Sequence, residues 1–153
     1  MIIYIGADHR GFLLKASIAA ALASDGYEVI DVGAAVNDPV DDYPDFARAV
    51  AEKVMVSADA SEARGIVICG SGFGADIVAN KFKGIRSALA MLPEQICVGR
   101  HDDDVNVLSI AADFITPEKA LEIARAFLST PFEGNEIRYS RRLKKISEIE
   151  NKI

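Results

Sequence analysis

The chain has 153 residues, of which 50% are hydrophobic and 26% are charged, and its formal net charge is −6. These values predict one globular domain, residues 1–153, with a sizeable core. The acidic balance disfavours a non-specific nucleic-acid surface or an anionic membrane surface. No apolar run approaches the roughly 20 residues of a transmembrane helix, so we expect neither a nucleic acid nor a membrane as a partner.

The amino terminus and the cysteines favour a cytoplasmic location. The first residues, Met1 to Gly6, lack the basic segment of a secretory signal and have the pattern of a strand. The two cysteines, Cys69 and Cys97, do not suggest a disulfide framework in a chain of this size. Cys97 falls in a helical pattern, and we interpret it as a structural residue.

Apolar runs of strand length alternate with helical spacing along the whole chain. The runs predict strands over residues 2–5, 27–32, 65–69, 85–91 and 105–111. Helices are predicted from Phe12 to a C′ glycine at Gly26, over 44–56, up to about 81, from Pro93, from Thr116 as N-cap, and over 137–149. This alternation predicts an α/β fold: a single doubly wound, Rossmann-like, five-stranded parallel sheet with helices on both faces and a C-terminal helix.

Ligands of such sheets bind at the carboxyl ends of the strands. These ends carry the loops at Asp8, Asp42, Cys69, Pro93 and Ala111. Asp8 and His9 therefore stand where a ligand is expected, although an ordinary surface histidine is the plainer interpretation of His9.

The segment Cys69-Gly70-Ser71-Gly72-Phe73-Gly74 joins a very hydrophobic strand to a helix. Glycines let backbone approach a ligand closely, and N–H groups at a helix start attract anions. Two other interpretations stay open: a tight turn without a ligand, and a nucleotide-binding loop, since residues 70–75 also fit the dinucleotide fingerprint.

Cys69 ends the strand that precedes this loop. A cysteine in that position is usually a small core residue. A helix start also stabilises a thiolate, which can take a proton from carbon beside a carbonyl while nearby N–H groups hold the enediolate oxygen.

The final helix carries the one basic cluster of an acidic chain. Arg138 and Arg142 are four residues apart and share one helix face, where two guanidinium groups suit a phosphate. A solvated basic face explains the same pattern.

Together these motifs resemble the family of ribose-5-phosphate isomerase B and galactose-6-phosphate isomerase. The resemblance covers essentially the whole chain, through segments 6–12, 42–46, 68–74, 79–81, 84–86, 106–108 and 132–134. It implies a doubly wound parallel sheet and a homodimer with active sites between subunits, and it leaves pairing of dimers into tetramers open. It also implies cofactor-free, metal-free aldose–ketose isomerisation of a phosphorylated sugar through a cis-enediol, with ribose 5-phosphate as the default substrate.

The resemblance also implies roles for individual residues. Cys69 matches the base that moves a proton between C1 and C2, and the loop with Ser71 holds the enediolate. The residues expected to contact the sugar phosphate are Asp8, His9, Tyr43, Gly70, Gly72, Gly74, Asn106, Arg138 and Arg142.

Two positions depart from the family pattern. The family histidine that helps to open the sugar ring falls on Asp102, and His101 stands one position early, a rotation of about 100° on a helix. The family arginine that helps to bind phosphate falls on Asp113, which reverses the sign of that contact.

Three hypotheses follow from these departures. His101 swings into the site and the chain is a working isomerase; Asp102 does the acid–base work on a different or open-chain sugar; or the chain binds a sugar or sugar phosphate without catalysis. The run Asp102 to Asp104 has two further interpretations, a solvated helix end and a Mg²⁺ site. Adjacent side chains on a helix do not face one another, which disfavours the Mg²⁺ site.

Overall fold

The structure, a computed structural model, describes residues 1–57 and 63–152. Its five strands are β1 (Ile2–Ala7), β2 (Glu28–Asp31), β3 (Ala63–Cys69), β4 (Ser87–Leu89) and β5 (Val107–Ala111). All neighbouring strands run parallel, in the order β2-β1-β3-β5-β4. The predicted doubly wound five-stranded sheet is therefore confirmed.

Six helices connect and follow the strands. They are α1 (Phe12–Ser24), α2 (Tyr43–Val56), α3 (Phe73–Ala79), α4 (Pro93–Asp103), α5 (Pro117–Ser129) and α6 (Ile137–Glu150). Two predicted helix ends are confirmed in detail. Gly26 has a φ of +94° directly after α1, and the Thr116 hydroxyl accepts a hydrogen bond from the Lys119 N–H at 3.3 Å at the start of α5. Among the described residues, no helix is long and apolar enough to cross a bilayer.

Both faces of the sheet are covered because successive strand residues point to opposite sides. In β3, Ile66 and Ile68 join the core cluster that includes residues of α1, α4 and α5, whereas Val67 and Cys69 join the cluster on the side of α2 and α3. This two-sided burial explains why residues 66–69 of β3 are all apolar without alternation. It also places the Cys69 side chain on the α2–α3 face.

The strand β4 is shorter than predicted. It covers Ser87–Leu89 at the edge of the sheet and pairs with β5. Ile85 belongs to a turn instead, in which its N–H donates to the Phe82 carbonyl at 3.0 Å. The apolar run thus marks a buried turn as well as a strand, and apolarity does not distinguish the two.

The strand order leaves a crevice at one place. The chain leaves β1 for β2 on one side, while β3 lies on the other side of β1. Loops that leave in opposite directions create a gap at the carboxyl ends of the two strands. The loops after β1 and β3, which begin at Asp8 and Gly70, meet at this gap.

Candidate active site

A cavity of about 260 Å³ lies at the crevice between β1 and β3. Its walls are formed by Asp8, Arg10, Tyr43, Cys69, Gly70, Ser71 and Gly74. Among the described residues that line a larger cavity of about 420 Å³ around Arg64 and Arg100, there is neither a cysteine nor a histidine. The smaller cavity therefore contains the candidate base, Cys69, and five other residues that the sequence placed at the site.

The glycine loop is shaped by contacts on both sides. Gly72 has a φ of +76°, a left-handed conformation that favours glycine, and its carbonyl accepts a hydrogen bond from the Ser109 hydroxyl at 2.7 Å. A Cβ at Gly74 would lie 2.6 Å from Cζ of Tyr43, so glycine is needed for the tyrosine ring to lie against the loop. Cys69, with 4% of its surface exposed, ends β3 directly before this loop.

The loop after β1 is fixed by Asp8. The Asp8 carboxylate accepts hydrogen bonds from the backbone N–H groups of Arg10 at 3.0 Å and Gly11 at 3.1 Å. Asp8 is buried, with 4% exposure. Its carboxylate therefore holds the loop against the cavity as well as lining it.

His9 is turned towards Asp41 and does not line the cavity. Nδ1 of His9 lies 2.6 Å from Oδ1 of Asp41, which also accepts the His9 backbone N–H at 3.0 Å. Oδ2 of Asp41 is buried and has no hydrogen-bond partner in the described structure. Sequence reasoning missed Asp41, although it directly precedes segment 42–46 of the family resemblance.

Arg10 is the second residue that sequence reasoning missed. It follows Asp8 and His9 within segment 6–12, and its Nη2 donates a hydrogen bond to Oδ2 of Asp113. The carboxylate at position 113 is thus engaged by a cation of the same chain.

A second cluster joins the end of α4 to the start of α6. Nδ1 of His101 lies 2.7 Å from Oδ1 of Asp102, and the His101 ring meets the Tyr139 ring edge-on at 5.6 Å between centroids. The Tyr139 hydroxyl accepts a hydrogen bond from Nη2 of Arg138 at 2.9 Å. Arg142, four residues further on, is exposed on α6. None of these side chains lines the Cys69 cavity within one described chain.

The electrostatics of this cluster favour an ionised Asp102. Hydrogen bonding to His101 holds the pKa of Asp102 below its usual range, and a hydrogen bond from Tyr139 and the charge of Arg138 act in the same direction against burial. A carboxylate that is ionised at neutral pH cannot donate a proton there. Its geometry suits a group that orients the His101 ring.

Two of the three aspartates at the end of α4, Asp102 and Asp104, bond to different partners, and no cluster of three metal-ligating side chains occurs among the described residues. Asp104 lies between Nη2 of Arg86 at 2.6 Å and Nη1 of Arg100 at 2.7 Å, whereas Asp102 bonds to His101. These cations offset the unfavourable placement of carboxylates at a helix C-terminus. Because the carboxylates point to different partners, the geometry does not suit a shared Mg²⁺ ion.

The structure does not bring Asn106 to the cavity. Asn106 directly precedes β5, at the opposite end of that strand from Ala111. Its side-chain oxygen accepts the Arg86 N–H at 2.7 Å, and its amide donates to the Gly84 carbonyl at 2.8 Å. Within one chain Asn106 therefore stabilises the turn before β4 through these two hydrogen bonds. It does not line the Cys69 cavity, where a contact with the substrate was expected.

Known proteins resemble this chain along nearly its full length. The profile of the family described as "Ribose/Galactose Isomerase" matches residues 3–146. Ribose-5-phosphate isomerase B of Escherichia coli is 39% identical over 150 residues, covering 98% of this chain and 97% of the relative. The crystal structure of ribose-5-phosphate isomerase B from Mycoplasma genitalium with bound ribulose-5-phosphate has a TM-score of 0.93 and 38% identity, covering 99% of this chain and 97% of that one.

The corresponding enzyme of Clostridium thermocellum has a TM-score of 0.92 and 43% identity, and the alignment covers 99% of both chains. Identity at this level over whole chains, together with a shared sheet, goes beyond likeness of fold. The chain therefore belongs to the ribose/galactose isomerase family, a family of aldose–ketose isomerases.

Proposed function

We propose that this chain interconverts an aldose phosphate and a ketose phosphate, with ribose 5-phosphate as the default aldose, and that Cys69 is the base. The observation that carries the proposal is the position of Cys69 in the wall of the crevice cavity, directly before the glycine loop. The Mycoplasma genitalium relative, which holds ribulose-5-phosphate, supports a sugar phosphate as the ligand class.

The proton transfer uses the cavity wall in a defined order. The Cys69 thiolate takes the proton from C2 of the open-chain aldose, and the electron pair of that bond forms the C1–C2 double bond. The C1 oxygen becomes the enediolate oxygen, which N–H groups of the glycine loop stabilise because the first N–H groups of α3 have no partner inside the helix. Returning the carbon-bound proton from Cys69 to C1, with transfer of the C2 hydroxyl proton to the C1 oxygen, gives the ketose.

Ring opening and phosphate binding are assigned to the second cluster. His101, oriented by Asp102, transfers the proton between the ring oxygen and the C1 hydroxyl. Arg138, which donates to the Tyr139 hydroxyl, and Arg142 on the same helix carry positive charge and suit a phosphoryl group. Because this cluster does not line the Cys69 cavity of its own chain, we assign it to the cavity of a second copy, in a homodimer.

An apolar surface beside the cavity supports this dimer. A second cavity of about 260 Å³ adjoins Ser71 and is lined with apolar side chains, among them Phe73, Met91 and Phe114. Phe73 is 64% exposed and Phe114 is 70% exposed. Clustered exposed aromatic residues mark protein interfaces, and this cluster lies next to the catalytic loop.

Two departures from the family pattern favour a second candidate, a relative with another sugar substrate or with binding alone. They are Asp102 and Asp113. A coupled isomerase assay across pentose and hexose phosphates and their unphosphorylated forms separates the two. Turnover of ribose 5-phosphate supports the proposal, and turnover of a different sugar alone supports the second candidate.

We also propose that the enzyme works in the cytoplasm. The base must be a free thiol, and both Cys69 and Cys97 are unpaired cysteines in the structure. Reducing compartments keep such thiols reduced.

A further inference from the structure

Among the residues that the structure describes, Arg10 is the one cationic side chain in the wall of the Cys69 cavity. The other wall residues are Asp8, Tyr43, Cys69, Gly70, Ser71 and Gly74. Any anionic part of a molecule in this cavity therefore meets Arg10 as its nearest positive wall group. Arg10 reaches this position because Asp8 fixes the backbone of the loop after β1.

The guanidinium of Arg10 is held in place from two sides. It donates to Asp113, whose own backbone N–H donates to the Gly70 carbonyl at 3.0 Å. It also lies against Gly70, so closely that a Cβ at that position would overlap Nε and Cζ of Arg10. The ion pair thus spans the loops after β1 and β5 across the glycine loop after β3.

The arrangement leaves most of the guanidinium available. Arginine carries five N–H donors, and in the described parts of the chain Asp113 is the one hydrogen-bond partner of the Arg10 side chain. Its side chain is 55% exposed and that of Asp113 is 33% exposed. An ion pair this exposed adds little to the stability of the fold. Its effect is to hold the N–H donors of the Arg10 guanidinium at the mouth of the cavity.

We propose that Arg10 binds the phosphoryl group of the sugar phosphate, and that Asp113 is a positioning residue for Arg10. This inference rests on the proposed function for the identity of the ligand. Guanidinium binds phosphoryl oxygens through paired, charge-assisted hydrogen bonds. On this proposal the Asp113 carboxylate does not repel the phosphoryl group directly. It holds the Arg10 guanidinium in the direction of that group.

The test compares matched variants with kinetics and with phosphate binding. Arg10→Gln is expected to raise both KM for ribose 5-phosphate and the inhibition constant of inorganic phosphate by about tenfold, with kcat nearly unchanged. Arg10→Lys keeps the charge and loses the fork, so it falls between wild type and Arg10→Gln. Asp113→Asn raises both constants by about threefold, and it adds nothing in the Arg10→Gln background.

Arg125→Gln is the matched control. Arg125 forms an exposed ion pair with Asp25, with side-chain exposures of 52% and 31%, away from the cavity. The Arg125→Gln variant should keep KM for ribose 5-phosphate and the inhibition constant of inorganic phosphate at their wild-type values. Arg10→Gln with both constants within twofold of wild type overturns the inference.

A second readout separates this inference from the proposed function. Inorganic phosphate should raise the melting temperature of the wild type and of Arg125→Gln, and much less that of Arg10→Gln. If the wild type turns over no ribose 5-phosphate but shows this phosphate pattern, the proposed function fails and the Arg10 site stands. If Arg10→Gln binds phosphate as the wild type does, the Arg10 site fails whatever the turnover.

Discussion

Oδ1 of Asp41 accepts the backbone N–H of His9 at 3.0 Å and lies 2.6 Å from Nδ1 of the same residue. One carboxylate oxygen therefore fixes both the backbone and the ring of His9. A hydrogen bond at Nδ1 sets the orientation of an imidazole and leaves Nε2 for a ligand. The side chain of the next residue, Arg10, donates a hydrogen bond to Oδ2 of Asp113.

Asp41→Asn tests whether this contact serves the substrate. The amide keeps an acceptor for the His9 N–H and loses the charge that orients the ring. If His9 contacts the phosphoryl group, KM for ribose 5-phosphate rises by about threefold with kcat nearly unchanged. Asp38→Asn, a change in the same loop at a carboxylate that accepts the Val40 N–H, is the control. Equal KM values for the two variants would remove His9 and Asp41 from phosphate binding.

Much of the fold could be predicted from the sequence because its signals are local. Buried parallel strands have continuous apolar runs, and Thr116 and Gly26 mark helix ends by their own conformational preferences. The length of β4 could not be predicted in this way. Ile85 is buried in a turn before β4. A buried apolar residue looks the same in the sequence whether it lies in a turn or in a strand.

The segment that lines the candidate site could also be located from the sequence, since Cys69 and the glycine loop are contiguous. The paired contacts could not. His9 and Asp41 are 32 residues apart, and Arg10 and Asp113 are 103 residues apart. Such pairs become neighbours only once the strand order is fixed. A single sequence does not indicate which carboxylate pairs with which histidine or arginine side chain.

Asp102→Asn tests the division of labour in the second cluster. If Asp102 orients the His101 ring and His101 transfers the proton, His101→Asn should lower kcat by about a hundredfold and Asp102→Asn by about tenfold. Asp103→Asn, an exposed neighbour, is the control. A larger loss in Asp102→Asn than in His101→Asn would make Asp102 the acid–base group.

The stability of the Asp102 contact should follow pH in a defined direction. The pKa of Asp102 is lowered in the folded state, chiefly by the hydrogen bond with His101. The contribution of ionised Asp102 to the free energy of unfolding is therefore present above the usual carboxyl pKa of 3.8, and it is lost as the pH falls through the lowered pKa. The difference in melting temperature between wild type and Asp102→Asn should accordingly vanish in acid. A difference that persists there would mean that the amide disturbs packing.

Asp76 in α3 should show the opposite pH dependence. Burial raises the pKa of Asp76 above 3.8, against the effect of a hydrogen bond from Ser87. The folded state then binds the proton more tightly than the unfolded state, so this group favours folding below pH 3.8 and less so above its raised pKa. Asp76→Asn should raise the melting temperature at pH 7 by about 1–3 °C, with the gain shrinking in acid. A lower melting temperature at pH 7 would contradict this.

Phe114→Lys tests the proposed dimer. Phe114 is 70% exposed in one chain, so the substitution should leave the fold of the subunit nearly unchanged. In the dimer it would bury a charge, and we expect a monomer in sedimentation with most of the isomerase activity lost. Leu13→Lys, at a residue that is 76% exposed on α1, is the matched control. A Phe114→Lys protein that stays dimeric would place the interface elsewhere.

The most direct test of the account is exchange of the C2 proton of ribose 5-phosphate in deuterated water. Wild-type protein should convert the sugar to ribulose 5-phosphate and introduce solvent deuterium as it does so. Cys69→Ala should lose both conversion and exchange by about 10³-fold, while inorganic phosphate still raises its melting temperature. Conversion and exchange at wild-type rates in Cys69→Ala would contradict the assignment of Cys69 as the base.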